Sequence, residues 1–243
     1  MSGHSKWANI KRKKGAADAA RAKIFTRIGK EIQIAVRDGG PNPENNSKLK
    51  DVIAKAKANN MPNDNIQRSI KKASGEGGSD NIEEIRYEGY GPAGVAIMVD
   101  VVTDNRNRTA SEVRHVFDKY GGNLGSTGCV SFMFDKKGII IIENDGEIDE
   151  EALLMDVLEA GAEDFVPQEE IYEITTAPEA FSAVSDALEQ KGYVLAEAEV
   201  KMVPQTTTHL SDEKQLEQLG KLLDGLDDND DVIDVFHSWD EED

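Results

Sequence analysis

Apolar residues recur at helical spacing through the first third of the chain and at strand spacing through most of the rest. From Asp18 to about Arg37, Ile24, Phe25, Ile28, Ile32, Ala35 and Val36 share an arc of about 120° when placed at 100° per residue, a core-facing stripe. Asp18 is suited to cap this helix, and Gly39-Gly40-Pro41 stops it. A second helix is predicted over about 47–59, with Leu49, Val52, Ile53 and Ala56 as its stripe. After Pro62, Asn63 or Asp64 starts a third helix; Asp64-x-x-Gln67 resembles a capping box, and Ile66 and Ile70 are the apolar pair. Gly75-Glu76-Gly77-Gly78-Ser79 reads as a linker.

Beyond the linker the pattern shortens. Ile85–Gly89 and Val95–Thr103 read as strands joined by the turn Gly89-Tyr90-Gly91-Pro92-Ala93-Gly94. A helix over about Arg108–Tyr120 would bury Val113, Val116, Phe117 and Tyr120; a glycine-rich loop, Gly121–Gly128, and a strand, Cys129–Phe134, follow it. A regular series comes next: strand 138–143, helix 149–160, strand 163–166, strand 170–176, helix 178–190, strand 194–203. That order, βαββαβ, is the ferredoxin-like arrangement. A helix over about 211–224 and a strand Val232–Trp239 close the chain. The strands before 135 and the elements after 205 are incomplete apart and complete one another together. The expected fold is therefore α+β and multidomain. A three-helix domain spans 1–79, an α/β domain spans 80–134 plus 205–243, and a ferredoxin-like domain, 135–204, is inserted into it.

Composition changes this picture through the placement of charge. The 243 residues carry a net charge of -19, yet residues 1–79 hold 17 Lys and Arg against 7 Asp and Glu, and the remainder holds 11 against 40. A cationic module gains affinity for phosphates by releasing their counterions, and an acidic body restricts how that module approaches the same polymer. The basic positions are organised. Lys6, Lys11, Arg12, Lys13 and Lys14 crowd the run Ser5–Lys14, and Lys23, Arg27, Lys30 and Arg37 share the helix face opposite the apolar stripe. Lys48, Lys50, Lys55 and Lys57 surround the second helix, and Arg68, Lys71 and Lys72 form the basic side of the third. Ile34 lies within the first basic face, where an exposed aliphatic suits a contact surface, and Arg21 projects into the apolar arc. Two roles stay open for the face as a whole, a nucleic-acid contact or an internal dock on the acidic body; Trp7 is likewise either a core anchor or a stacking platform.

Other chemistry is sparse. The longest apolar run, around Ile139–Ile142, is too short for a membrane span, which needs about 20 residues; no signal-peptide stretch follows the basic start, and the expected compartment is the cytoplasm. Cys129 is the single cysteine, so neither an intrachain disulfide nor a cysteine zinc site can form. His4, His115, His209 and His237 fall in different elements without metal-ligand spacing. Asp227-x-Asn229-x-Asp231 begins like a calcium loop but has Val232 and Ser238 where Gly and Glu are needed. Asp240-Glu241-Glu242-Asp243 reads as a solvated tail. Neither a cofactor, a metal nor a small-molecule substrate is expected. Thr103-Asp104-Asn105-Arg106-Asn107-Arg108-Thr109 stands out, because Arg106 and Arg108 are rare cations in an acidic region at a strand-to-helix junction. It is either a helix cap with locally paired arginines or a second anion contact.

Several strings carry a resemblance. Ser2-Gly3-His4-Ser5-Lys6-Trp7-Ala8-Asn9-Ile10-Lys11, Asn60-Met61-Pro62 with Asn65-Ile66, Tyr87-Glu88-Gly89-Tyr90-Gly91-Pro92, the Thr103–Thr109 string and Gly121-Gly122-Asn123-Leu124-Gly125 resemble the YebC/PmpR family over essentially the whole chain. Cys129 stands where that family usually has Ser. The resemblance implies a helical bundle and two α/β domains, one inserted in the other. It also implies a DNA-binding transcriptional regulator, or a ribosome-associated translation factor that eases difficult peptide bonds such as those in proline runs.

The expected function is thus non-enzymatic binding of nucleic acid, either DNA or ribosomal or transfer RNA, through Lys6, Lys11, Arg12, Lys13, Lys14, Lys23, Arg27, Lys30, Arg37, Lys55, Lys57, Arg68, Lys71, Lys72, Arg106 and Arg108. Lysine-rich faces suit phosphates, whereas base edges are read by Arg, Asn and Gln on a recognition helix. A metal-dependent nuclease using Asp100, Asp104 and Glu112 is a third, weaker reading.

Overall fold

The structure, a computed structural model, describes residues 18–75 and 82–240. Its fold is the expected α+β arrangement, in which a helical region precedes two α/β units. Three helices come first: α1 (Asp18–Gly39), α2 (Ser47–Ala58) and α3 (Asn63–Ser74). Ile28, Ile32, Ala35 and Val36 of α1 meet Leu49, Val52 and Ala56 of α2 and Ile66, Ile70 and Ala73 of α3 in one core. Met61 joins this core from the turn between α2 and α3, where Asn60 is left-handed (φ 56°). Pro62 sits at the start of α3 and no side chain caps it, so the Asp64–Gln67 pair does not form the expected capping box. Asn46 ties the α1–α2 junction instead. It accepts from Leu49 N–H at 3.0 Å and donates to the carbonyls of Ala35 and Gly40 at 2.7 and 2.8 Å.

The next unit comprises β1 (Glu83–Tyr90), β2 (Ala96–Thr103), α4 (Arg106–Lys119) and β3 (Asn123–Leu124), completed after the insertion by α7 (Glu213–Asp227) and β9 (Val232–His237). Its antiparallel sheet has the order β3-β1-β2-β9, with Tyr87 opposite Val99 and Val99 opposite Val235. The inserted unit is β4 (Phe134–Glu143), α5 (Glu150–Ala160), β5 (Asp164–Pro167), β6 (Ile171–Thr176), α6 (Phe181–Gln190) and β7 (Leu195–Pro204). Its sheet order, β5-β6-β4-β7, with every neighbour antiparallel, is the ferredoxin-like topology. Two short strands, β8 (Thr208–His209) and β10 (Trp239–Asp240), pair in parallel near the end.

One expected strand does not form. Residues 129–133 make a turn and a short 3-10 helix, and the strand begins at Phe134. The cause is Glu88. Its buried carboxylate accepts from the backbone N–H groups of Gly128 (2.8 Å), Val130 (2.9 Å) and Ser131 (2.8 Å), which takes those donors away from any ladder. Burial works against ionisation of Glu88, but these three bonds hold its carboxyl below the usual range. The glycines of the two nearby strings serve the same packing. A Cβ on Gly89 would lie 2.5 Å from the Asn123 carbonyl, and one on Gly122 would lie 2.8 Å from the Tyr90 carbonyl.

The strands β2 and β4 are buried on both faces along most of their length, which explains why they read as continuous apolar runs. Ile97, Val99 and Val101 of β2 face α4 and α7. Ala96 and Met98 face Val130 and Phe134 at the root of the insertion, and Val102 faces Ile34 of α1 and Ile233. In β4, Ile140 and Ile142 point to α5 and α6, while Ile139 and Ile141 point to the opposite face beside Ala196 of β7, the strand along which α2 packs. The first four residues of β4 pair only with β7, Phe134 opposite Pro204, so this strand exceeds the run of isoleucines that announced it.

Gly138 of β4 tests how tightly the insertion is packed. An added Cβ would overlap Thr176 Oγ1 and lie 2.7 Å from the Phe181 ring. Gly138→Ala should cost about 2–3 kcal/mol, read as a lowered midpoint in urea at unchanged m-value; an unchanged midpoint would show that this contact yields freely.

Candidate nucleic-acid interface

The basic face of α1 meets the protein's own acidic segment. Lys23 Nζ lies 3.3 Å from Asp228 Oδ1 and 3.6 Å from Asp227 Oδ2. Arg27 Nη1 donates to Asp227 Oδ1 at 2.7 Å, and its Nη2 donates to the Asp227 carbonyl. Lys30 Nζ donates to the carbonyls of Asp230 (2.7 Å) and Val102 (3.2 Å) and pairs with Asp231 Oδ1 at 3.1 Å. Arg37 reaches the Ile82 carbonyl at 2.6 Å and its neighbour Asp38 at 2.9 Å. Ile34, expected to be an exposed contact, is buried against Val102 and Ile233 in the same interface. Of the two roles left open for this face, the structure displays the internal one. An aliphatic inside a charged helical face was the sequence signal for it.

Asp231 is the hub of the dock. Its Oδ2 accepts from Arg108 Nη2 (2.7 Å), Thr109 Oγ1 (2.7 Å) and Thr103 Oγ1 (3.1 Å), while Oδ1 faces Lys30. Burial opposes its ionisation, but the bonds from Arg108, Thr109 and Lys30 hold the carboxyl at about 2. The Thr103–Thr109 string is therefore largely architectural. Asn105 caps α4 by accepting from Arg108 N–H, and Thr103 Oγ1 accepts from Asn105 N–H. Arg108 bridges Asp104 and Asp231. Arg106 stays outside this network, 68% exposed and 4.0 Å from Glu83.

Lys55 of α2 is the inner end of the dock. Its Nζ lies 3.1 Å from Glu31, 3.2 Å from Asp234 and 3.8 Å from Glu199, so one residue joins the helical unit to both sheets. Burial alone would pull this ammonium down; Asp234, Glu31 and Glu199 hold it well above its ordinary value. Three carboxylates converge on Lys55 here; Glu199 also has Lys201 at 3.5 Å, and the excess charge falls on Glu31. Burial, with Asp234 and Glu199, pushes Glu31 up to about 7 against the pull of Lys55. A cavity of about 130 Å³ opens beside the cluster, lined by Arg21, Arg27, Glu31, Lys55, Asn59 and Glu199 among others.

The remaining cations face outward. Arg68, Lys71 and Lys72 stand three and four residues apart on the exposed side of α3, and Lys57 is exposed near the end of α2. None of the four forms an ion pair among the described residues. Lys6, Lys11, Arg12, Lys13 and Lys14, with Trp7 and His4, lie outside those residues. The triad considered for a nuclease is not brought together. Asp100 is held by Arg86 at 2.6 and 2.7 Å, Asp104 by Arg108, and Glu112 by Asn229. Among the described residues three metal-ligating side chains nowhere cluster, and no helix is long and apolar enough to cross a membrane.

With this geometry in place, comparison with known proteins identifies the family. Residues 5–76 match the TACO1/YebC protein N-terminal domain and residues 82–239 match the TACO1/YebC second and third domain. The chain is 64% identical over 239 residues to a probable transcriptional regulatory protein of Acetivibrio thermocellus, covering 98% of this chain and 99% of that one. It is 63% identical over 242 residues to a probable transcriptional regulatory protein of Ruminiclostridium cellulolyticum, covering 100% and 98%. Among solved structures it is similar to the conserved hypothetical protein Aq1575 from Aquifex aeolicus, at 47% identity and a TM-score of 0.81, over 92% of this chain and 91% of that one. The chain belongs to the TACO1/YebC family.

Two measurements test the dock. Asp231→Ala removes the carboxylate shared by Arg108, Thr109 and Lys30 and should cost about 2–3 kcal/mol in urea unfolding; a loss under 1 kcal/mol would show that the hub is dispensable. Glu31 gives the dock a pH dependence. Its folded value lies above the ordinary 4.5, so the folded state keeps a proton that the unfolded chain releases. The matching stability is present below about pH 4.5 and is lost as pH rises through 7. Glu31→Gln removes the excess charge and leaves Lys55 with Asp234 and Glu199. It should stabilise the protein at pH 8 by on the order of 2 kcal/mol and much less at pH 5. Parallel melting curves for the two proteins across that range would refute the assignment.

Proposed function

We propose that this member of the TACO1/YebC family is a non-catalytic nucleic-acid-binding regulator of gene expression that grips phosphates through its helical unit. The observation that carries the reading is the outward face of α3. Arg68, Lys71 and Lys72 stay exposed without an ion pair among the described residues, in a chain whose net charge is -19 and whose carboxylates occupy most other cations of the unit. Lys57 is a further exposed cation near the end of α2, and the Ser5–Lys14 run adds five more in the sequence. Arg106 is a separate exposed cation on the acidic body. The names carried by the relatives support a role in regulation.

The chemistry of the face favours backbone recognition over the reading of bases. Lysine and arginine at helical spacing match the repeat of phosphates; discrimination among base pairs needs side chains set against groove edges. This favours a second reading, binding to structured RNA such as that of the ribosome, where shape and backbone contacts suffice. The two separate by measurement. A promoter-specific regulator prefers its site by about 10³-fold or more over random DNA, whereas a ribosome-associated factor co-sediments with ribosomes in a salt-sensitive way and shows no such preference.

Charge reversal tests the shared claim. The triple variant Arg68→Glu, Lys71→Glu, Lys72→Glu should weaken binding at least roughly tenfold and flatten the dependence of log K on log salt by about 2–3. All three positions are exposed, and acidic side chains in the last turn of α3 oppose the helix only modestly, so the fold should persist with the melting temperature lowered slightly. Unchanged affinity and slope would remove α3 from the interface.

A further inference from the structure

The dock between α1 and the acidic segment is not uniform along its length. At the inner end, Lys55 and Lys30 meet Glu31, Asp234 and Asp231 under cover, beside the buried contact of Ile34 with Val102 and Ile233. At the outer end, Lys23 and Arg27 meet Asp227 and Asp228, whose side chains are 60% and 85% exposed. The carboxylates of these pairs face solvent and are screened by salt, whereas the side chains of Lys23 and Arg27 lie along the interface, 25% and 15% exposed. The buried Nε of Arg27 has no hydrogen-bond partner among the described residues, so Asp227 does not satisfy the whole guanidinium.

Local physics gives Asp227 and Asp228 no reason to be acidic. They close α7, at the end where a helix exposes carbonyls and carries partial negative charge, and the last turn of α7 holds no basic residue. Carboxylates there oppose the helix, and their compensation comes from Lys23 and Arg27 across the interface. Side chains that are unfavourable in their own element and placed on a cationic ridge act there as anionic ligands.

We propose that Asp227 and Asp228 occupy the outer α1 ridge as internal stand-ins for phosphate, and that a nucleic-acid backbone exchanges with them to gain Lys23 and Arg27 while the inner dock stays closed. This rests on the nucleic-acid reading above and adds two concealed cations to those exposed on α3. Bound polymer takes over two cations that the free protein neutralises itself. The acidic residues weaken all binding by competition, and the penalty is smallest for ligands dense in phosphate.

The test compares the full-length protein with two variants, using a fluorescent oligouridine and a duplex DNA of arbitrary sequence as probes. Asp227→Asn with Asp228→Asn frees the ridge and relieves the end of α7. It should raise affinity about threefold to tenfold and steepen the salt dependence by about 1–2. Lys23→Cys with Asp228→Cys, in a Cys129→Ser background, allows the ridge to be closed by a reducible bis-thiosulfonate linker. Affinity of the linked form should fall below that of the same protein after reduction. A wild-type protein that binds while neither neutralisation nor linkage changes affinity or salt slope overturns the exchange and leaves the α3 interface standing. Absence of binding in every form, the neutralised variant included, overturns both.

Discussion

The meeting of Lys30 and Lys55 with the carboxylates of Asp231, Asp234 and Glu199 determines how the rest of the molecule is put together. Each sheet has one face covered by its own helices and an opposite face where a few apolar side chains, Met98 and Val102 or Ile139 and Ile141, stand among charged ones. An isolated helical unit could not stay fixed on either sheet through the short side chains of Val102 and Ile233 alone. Lys30 and Lys55 supply the missing direction, because a buried ammonium is tolerated only where carboxylates and carbonyls surround it. Asp231 collects donors from α1, β2 and α4, and Lys55 collects acceptors from α1, β7 and β9. Once these two centres are satisfied, Ile34 has a single place to go. Apolar burial contributes adhesion; the charged centres set the register.

The sequence was most informative where one element dictates its own pattern. The stripes of α1 to α3 and the βαββαβ order of the insertion follow from periodicity, since each helix or sheet face buries a continuous row. Legibility failed where a residue's partner is distant along the chain. The Cys129–Phe134 run looks like a strand, and nothing local announces that Glu88, forty residues earlier, claims its N–H groups. The basic face of α1 poses the same problem. Its composition is that of a phosphate binder, and only the placement of Asp227–Asp234 shows which anions it meets. Two signals were nonetheless present. Ile34 sits inside a charged face, and the aborted calcium-loop pattern Asp227-x-Asn229-x-Asp231 places carboxylates where α7 would prefer cations.

The strings that mark the family divide along the same line. Tyr87–Pro92 and Gly121–Gly125 are explained by close backbone approach and by the hold of Glu88 on the loop. Thr103–Thr109 builds the Asp231 hub, apart from Arg106. Asn60-Met61-Pro62 turns α2 into α3 and delivers Met61 to the helical core. Such motifs record how three units are held together, so their presence identifies the architecture without identifying a ligand.

The uneven charge of the chain follows from this arrangement. A helical unit with surplus cations sits against a body with surplus carboxylates, and the interface neutralises some of each. What remains exposed is cationic at α3 and anionic over most of the body, so the field around the protein has a direction. A polyanion is drawn to Arg68, Lys71 and Lys72, and at the edge of the dock it meets the carboxylates of Asp227 and Asp228. Those carboxylates are the components held least firmly, because solvent already screens them. A polyanion at the dock thus encounters resistance that is weak at the rim and strong at Asp231 and Lys55. The same gradient lets the ridge exchange partners at its outer end without separating the domains.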